Sequence, residues 1–177
     1  MSVSVIITTF NRPDFLKKAY KSVIDQTLKP EEVLIINNGK NQIKYKNFKK
    51  NKDIKLKIIN NKKNLFCSRA RNLGANKSKC KYLAFLDDDD MWEKNYLKGS
   101  INNLKKKNAD IIISKIYLID NNKYFKFKDP DNFSQKDIFI KNPGITGSNI
   151  IIKKDVFKSL GGYIKKLEPS EDKSLVI

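Results

Sequence analysis

The sequence predicts an α/β fold with a mainly parallel central sheet flanked by helices. Two apolar runs, Ser4–Phe10 and Tyr82–Leu86, are continuous rather than alternating, which is typical of parallel strands buried on both faces. Segments with helical spacing of apolar residues follow such runs in the first half of the chain, and this alternation favours a parallel sheet. Because 177 residues are enough for one substantial core, we expect a single domain over residues 1–177.

The first half of the chain supplies four predicted strands and two helices. A helix begins near Pro13, whose ring suits the first helical turn, and its apolar residues recur at helical spacing. The segment 67–78, "CSRARNLGANKS", is the second predicted helix. The strands are predicted at Ser4–Phe10, Val33–Ile36, Lys55–Ile59 and Tyr82–Leu86.

The second half is predicted to begin with an amphipathic helix at Asn95–Lys107. A strand over Ile111–Ile119 is followed by the turn "DNNK" and the strand Tyr124–Phe127, which predicts a hairpin. The remaining predicted elements are a short helix at Ser134–Ile140, a strand at Ser148–Ile152 and a helix at Asp155–Leu160, which Gly161 and Gly162 end.

Polar clusters follow three of the predicted strands. The first strand ends in "TTFNR", the second in "NNG", and the fourth in the four carboxylates Asp87–Asp90. Ligands of parallel α/β sheets bind beyond the carboxyl ends of the strands, so we expect the clusters to meet at one edge. Four adjacent carboxylates repel one another unless a cation neutralises them. A metal site and a solvated acidic turn therefore both remain open as interpretations, and the convergence of the clusters favours a site.

The formal net charge of +18 raises the question of an anionic partner. Only three of the 37 basic residues are arginine, and the lysines are spread along the chain. Specific readout of bases and phosphates favours the arginine fork, so we expect no specific nucleic-acid partner. We rank a solvated basic surface first, an anionic membrane surface second and nucleic acid third.

The sequence has no apolar stretch near the roughly 20 residues that a membrane span requires. Its N-terminus lacks the basic region and the apolar length of a signal peptide. Cys67 and Cys80 fit neither a metal-ligand spacing nor a disulfide framework. We therefore expect reduced thiols and a cytoplasmic protein, with peripheral binding at the inner face of the membrane as an open alternative.

Four motifs in order resemble family 2 glycosyltransferases of the GT-A fold. They are "SVIITTFNRPDFLKKAYKSVIDQT", "VLIINNGK", "NLFCSRARNLGANKSKCKYLAFLDDDDMW", and "GITGSNIIIKKDVFKSLGGY" followed by "SEDKSL". The resemblance implies a nucleotide-diphospho-sugar donor, expected to be a UDP-sugar, and a divalent cation, Mn²⁺ or Mg²⁺. It also implies inverting transfer to the hydroxyl of a glycan or lipid-linked acceptor, in the synthesis of surface polysaccharide or another glycan.

The resemblance also implies roles for single residues. Asp89, in the family's DxD-type motif, would be the principal metal ligand, and Asp172 would be the general base with Glu171 beside it. The positions that match donor-binding residues are Thr8, Arg12, Asn37, Asn38, Arg71, Asp87 and Asp88. Thr8, Arg12 and Arg71 would border the nucleotide, and the two asparagines would contact the nucleobase.

The carboxylates of the sequence suit the two tasks of metal binding and proton removal. Mn²⁺ and Mg²⁺ prefer oxygen ligands and often take one or two carboxylates together with phosphate oxygens. A carboxylate aimed at the acceptor hydroxyl removes its proton as the oxygen attacks the anomeric carbon. Because the sequence contains no histidine, a carboxylate is the natural base.

The sequence departs from the family pattern at two places. The strand end at Asn37 and Asn38 carries two amides where the family usually has an aspartate, and the chain stops five residues after Asp172. The second departure predicts that the sequence is truncated relative to its family. An alternative role for Asp172 is to cap a helix.

Two other functions compete with glycosyl transfer. A sugar nucleotidylyltransferase would need a glycine-rich phosphate loop after the first strand, where this sequence has "TTFNRPD". A non-catalytic module that binds a nucleotide or cation is the other alternative, favoured by the early end of the chain and the absent aspartate.

Overall fold

The computed structural model describes residues 2–49, 51–61, 65–120, 123–128, 136, 138, 142–164 and 171–175. The strands are β1 (Val3–Thr9), β2 (Glu32–Asn37), β3 (Lys55–Asn60), β4 (Tyr82–Asp87), β5 (Ile111–Ile113), β6 (Ile116–Asp120), β7 (Lys123–Lys128) and β8 (Ile150–Lys153). The helices are α1 (Pro13–Ile24), α2 (Cys67–Lys77), α3 (Tyr96–Lys106) and α4 (Lys154–Ser159). Short 3₁₀ turns lie at Tyr45–Asn47 and Glu171–Leu175.

Six strands form the central sheet in the order β3-β2-β1-β4-β8-β5. The neighbours β3, β2, β1 and β4 are parallel, and β8 runs antiparallel to both β4 and β5. All seven residues of β1 are buried, as their continuous hydrophobicity predicts. The predicted α/β class with a mainly parallel sheet is therefore confirmed.

Helices cover both faces of the sheet, so the core has two halves. On one face, α1 and α3 pack their apolar residues, such as Leu16 and Ile101, against side chains that include Val5 of β1. On the other face, α2 and α4 pack against a cluster that includes Ile6 and Phe85. Neighbouring strand residues face opposite layers, which is why consecutive residues such as Val5, Ile6 and Ile7 of β1 are all apolar.

The predicted strand Ile111–Ile119 is instead two strands. The Ser114 N–H donates to Asn149 O (3.0 Å), and Asn149 Nδ2 donates to Ser114 O (2.6 Å). These bonds hold the chain at the end of β5, after which it leaves the central sheet. The following strands β6 and β7 pair with each other as a separate two-stranded sheet, which confirms the predicted hairpin.

The other predicted elements agree with the structure within one or two residues at most ends. Gly161 and Gly162 have φ values of 77° and 76°, in the left-handed region that favours glycine after a helix. The predicted helix at Ser134–Ile140 lies largely outside the described residues. Cys67 and Cys80 do not form a disulfide bond with each other. In the described part of the chain, no helix has the length and apolarity needed to cross a membrane.

Candidate functional site

A cleft of about 430 Å³ opens at the carboxyl edge of the parallel strands. The register of the sheet explains why, because Thr8 pairs with Asp87 and Thr9 with Asn37, so three strands end at one level. The cleft is lined by Thr8, Thr9, Phe10, Arg12, Asn38, Leu65, Phe66, Cys67, Arg71, Asp87, Asp89 and Asp172. Seven of the ten residues predicted from the sequence are among them.

Arg71, on α2, is the buried centre of this cleft and only 3% exposed. Its Nη2 donates to both carboxylate oxygens of Asp87, at 2.7 and 3.0 Å, and its Nη1 donates to Asp172 Oδ1 at 2.6 Å. Burial opposes its charge, but the two carboxylates outweigh burial and hold the pKa of Arg71 well above its ordinary value. One guanidinium thus joins the end of β4 to the 3₁₀ turn near the end of the chain.

Gly147 makes this position of Arg71 possible. A Cβ atom built on Gly147 would lie 1.9 Å from Arg71 Nη2 and 2.4 Å from its Cζ, so no larger residue fits without a shift. The ring of Tyr163 lies on another side of the guanidinium, 5.3 Å from Cζ to the ring centroid. Sequence reasoning missed both neighbours, although Gly147 lies within the segment that carries the resemblance.

Arg12 neutralises the next two carboxylates of the acidic run. Its Nη2 lies 2.5 Å from Asp88 Oδ1, and its Nη1 donates to Asp89 Oδ2 at 2.7 Å. Asp88 is buried and also accepts a hydrogen bond of 2.6 Å from Thr9 Oγ1. Burial raises the pKa of Asp88, and the hydrogen bond from Thr9 and the charge of Arg12 oppose that rise.

Three of the four carboxylates in the acidic run pair with two arginines. Asp87 faces Arg71, whereas Asp88 and Asp89 face Arg12, which stands immediately before α1. These arginines offset the repulsion between the adjacent carboxylates Asp87, Asp88 and Asp89, while Asp90 is hydrogen-bonded with Ser148. Asp88 does not line the cleft, since its side chain is directed into the protein, but Asp87 and Asp89 do.

The two predicted asparagines occupy different positions. Asn37 is buried and outside the cleft lining, where its Nδ2 donates to Asn41 O (2.8 Å) and Asn60 Oδ1 (2.7 Å). Asn38 lines the cleft, and its Nδ2 donates to Leu65 O (2.5 Å). The amide of Asn37 thus holds the loop that follows β2, and the amide of Asn38 lies at the cleft wall.

Asp172 lies in the cleft, while Glu171 precedes it in the same 3₁₀ turn. The ion pair between Arg71 and Asp172 joins residues 101 positions apart in the sequence. This contact brings Asp172 next to the buried guanidinium at the cleft, and it does not by itself decide between the predicted base and a structural carboxylate.

Asp89 is the residue of the cleft that could serve as a carboxylate ligand of a divalent cation. Asp89 is an oxygen ligand with a side chain 44% exposed in the cleft. Among the residues that the structure describes, no three His, Cys, Asp or Glu side chains converge as a complete metal centre. An ion such as Mn²⁺ or Mg²⁺ does not need one, because it often binds through one or two carboxylates together with phosphate.

Two aromatic residues near the cleft have different environments. Trp92 is buried, donates from Nε1 to Ser148 O at 2.7 Å and stacks on Tyr96 with ring centroids 4.4 Å apart. Phe66 is exposed and forms part of the cleft wall. The Asp87 N–H donates to Ser148 Oγ at 3.0 Å. Ser148 therefore connects the indole of Trp92 to the end of β4 through two hydrogen bonds.

Comparisons with known proteins relate both the sequence and the fold to one family. Residues 4–161 match the pattern of glycosyl transferase family 2. An uncharacterized glycosyltransferase of Methanocaldococcus jannaschii is 31% identical over 183 residues, which cover 96% of this chain and 61% of the relative.

Solved structures of low sequence identity share the fold. S. aureus TarS 1-349 in complex with UDP-GlcNAc has a TM-score of 0.74 at 19% identity, covering 98% of this chain and 51% of TarS. The mannosyltransferase PcManGT from Pyrobaculum calidifontis, in complex with GDP-Man and Mn²⁺, has a TM-score of 0.71 at 14% identity, covering 97% and 49%.

The chain spans about three fifths of the archaeal relative and about half of each of these two structures. Because the family pattern is matched over residues 4–161, most of its length, the chain belongs to glycosyl transferase family 2.

Proposed function

We propose that the cleft binds a nucleotide-diphospho-sugar and transfers the sugar, with inversion, to the hydroxyl of a glycan or lipid-linked acceptor. The observation that carries this proposal is the buried guanidinium of Arg71, which joins Asp87 on the donor side to Asp172 on the acceptor side. A single group thereby fixes the distance between the proposed donor site and the proposed base.

In this proposal the end of β4 and the start of α1 hold the donor. Thr8, Arg12 and Asp87 border the nucleotide and its diphosphate. The buried carboxylate of Asp88 holds the guanidinium of Arg12 in place through an ion pair. Asp89 holds a divalent cation, which when bound offsets the negative charge that grows on the departing diphosphate. Support comes from the exposed carboxylate of Asp89 in the cleft and from the Mn²⁺ complex of PcManGT.

For the nucleobase we propose uracil, with Asn38 as the residue that contacts it. Its amide lines the cleft and can both accept and donate hydrogen bonds. Asn37 then acts by holding the loop behind Asn38. TarS is complexed with UDP-GlcNAc and PcManGT with GDP-Man, so the fold itself accommodates either base.

The proposed base is Asp172, with Glu171 beside it in the chain. Asp172 takes the proton of the acceptor hydroxyl while the oxygen attacks the anomeric carbon from the face opposite the diphosphate. The carbon–oxygen bond to the diphosphate breaks, and its electron pair leaves with the nucleoside diphosphate. One attack from the opposite face inverts the anomeric configuration. Arg71 holds the carboxylate of Asp172 in one orientation before the acceptor arrives.

A second candidate is a module that binds the nucleotide without turnover. The ion pair between Arg71 and Asp172 favours this candidate, because a carboxylate that is paired with a guanidinium is a weaker base. The proposed acceptor chemistry requires that this contact loosens when donor and acceptor are bound.

The experiment that separates the two functions is a panel of UDP- and GDP-sugars with Mn²⁺, in which released nucleoside diphosphate is measured. Glycosyl transfer predicts release with at least one donor, through transfer to an acceptor or slow transfer to water, and loss of release in the Asp172→Asn variant. Nucleotide binding without any release, in the presence of an acceptor mixture of sugars and lipid-linked sugars, would support the non-catalytic module.

A further inference from the structure

The hairpin formed by β6 and β7 exposes large apolar side chains on both of its faces. Directly paired residues share a face, so Ile119 and Tyr124 lie on one side while Leu118 and Phe125 lie on the other. These side chains are between 50% and 61% exposed. A two-stranded hairpin is marginally stable alone in water, and large exposed apolar patches are typical of surfaces that bind a partner.

The charge of the hairpin is strongly positive. The sequence from Lys115 to Lys128 contains four lysines against one aspartate, and the side chains of Lys115 and Lys123 are exposed. Lysine next to exposed tyrosine and phenylalanine is the composition of segments that lie at the boundary between anionic headgroups and acyl chains.

We propose that this hairpin docks the protein on an anionic lipid surface, with the exposed apolar side chains of its two strands in the headgroup region. A flat protein partner would cover one face of the ribbon, whereas a lipid interface covers both faces at once. Among the described strands, none pairs with the outer edge of β6 or β7, and backbone groups without such a partner disfavour deeper entry into the hydrocarbon core. The tyrosine hydroxyls suit the same shallow depth.

The hairpin begins at the edge of the central sheet where the cleft opens. Ile112 of β5 and Ala84 of β4 both pair with Ile151, so β5 is parallel to β4 and ends at the same edge. The hairpin starts at that edge, which also carries Asp87. If the proposed function holds, docking therefore brings the cleft to the side from which a lipid-linked acceptor would approach; the docking itself does not depend on sugar transfer.

The test is flotation of the whole chain with vesicles of phosphatidylcholine alone and of phosphatidylcholine mixed with phosphatidylglycerol. The wild type should float with the anionic vesicles and not with the neutral ones. The double variant Leu118→Ser/Phe125→Ser should bind the anionic vesicles at least about 10-fold more weakly than the wild type, because it removes one apolar face.

A matched control separates the hairpin from the general basic surface. Phe15 and Leu160 are 50% and 52% exposed, as are Phe125 and Leu118, but lie outside the hairpin. The Phe15→Ser/Leu160→Ser variant should therefore bind the anionic vesicles like the wild type. Equal binding by the hairpin variant and the wild type would overturn the proposal, because the overall positive charge alone would then explain flotation.

Fluorescence and light scattering complete the test. A Phe125→Trp variant should shift its emission to the blue with anionic vesicles, while buried Trp92 gives a constant background. An unchanged emission, or no flotation of the wild type, would refute insertion.

A wild-type dimer that the hairpin variant converts to a monomer would show that a second copy covers the hairpin, which would also overturn the proposal. Nucleotide-dependent thermal stabilisation should be equal in all variants, so failure of docking and failure of the proposed function are separate results.

Discussion

Gly147→Ala is the substitution that most directly perturbs the buried centre of the cleft. The added Cβ would lie 1.9 Å from Arg71 Nη2, whereas heavy atoms in contact are about 3.5 Å apart. The guanidinium must therefore retreat by roughly 1.5 Å, or the Gly147 backbone must move by a similar distance. A retreat of the guanidinium lengthens its 2.7 Å bond to Asp87 beyond the range of a hydrogen bond.

The expected cost follows from the contacts that are lost. Breaking a buried ion pair costs about 3–5 kcal/mol in general. Asp87 and Asp172 have side chains that are 24% and 21% exposed, so water replaces part of the lost interaction. We therefore expect Gly147→Ala to lower the free energy of unfolding by about 2–3 kcal/mol, which is at or just below the lower limit of that range. For a chain of this size this corresponds to a fall in Tm of roughly 4–12 °C.

The assay is urea unfolding of the variant beside Gly99→Ala. A Cβ on Gly99, which lies inside α3, would meet no atom within 4 Å. Alanine is favoured over glycine in a helix, so this control should gain about 0.5–1 kcal/mol. Wild-type stability of Gly147→Ala, with unchanged nucleotide binding, would refute the account of Arg71 as a group held under the backbone of Gly147.

Three further substitutions test other parts of the molecule. Asp172→Asn should reduce sugar transfer by about 10²–10⁴-fold while leaving donor binding intact, as equilibrium titration would check; normal transfer would remove the base assignment. Burial raises the pKa of the Cys80 thiol, and the nearby charge of Glu32 adds to the rise. The folded state therefore holds this proton more tightly than the unfolded state does. As pH rises from about 8.5 toward the raised pKa, the wild type should lose stability relative to Cys80→Ala. A difference between the two urea midpoints that stays constant across that range would contradict this. Gly74→Ala would place a Cβ 2.5 Å from Ile6 Cγ2, and overpacking of this kind should cost about 1–3 kcal/mol beyond the gain that alanine brings to a helix, so a urea midpoint equal to that of Gly99→Ala would contradict the tight packing of α2 on β1.

Much of the fold follows from local sequence patterns. The continuous apolar runs of β1 and β4 predicted buried parallel strands, and parallel strands in turn predicted that their polar ends would meet. The strand predicted at Ile111–Ile119 was wrong in one respect, since it is interrupted at Ser114 and Lys115. The apolar pattern of Ile111–Ile119 continues through both strands and gives no sign of the break. The hydrogen bonds that hold Ser114 at the end of β5 are made with Asn149, which is distant in the sequence.

The candidate site was predictable in its residue types but not in its pairings. Sequence patterns brought Arg71, Asp87 and Asp172 into one region through the family resemblance. That one guanidinium joins both carboxylates depends on contacts across 16 and 101 positions, which no local period reveals. The role of Gly147 was missed for the same reason, because the close approach involves a glycine and an arginine on different elements.

The central claim is that the cleft binds a nucleotide together with a divalent cation at Asp89. Calorimetric titration of UDP, with and without Mn²⁺, into the wild type and Asp89→Asn tests it most directly. The pair of Asp89 with Arg12 is largely exposed, so the variant should fold normally. We predict that UDP binds the wild type more tightly with Mn²⁺ than without it, and that Asp89→Asn loses this difference. Equal metal-dependent gain in both proteins, or no gain from Mn²⁺ in the wild type, would contradict the claim.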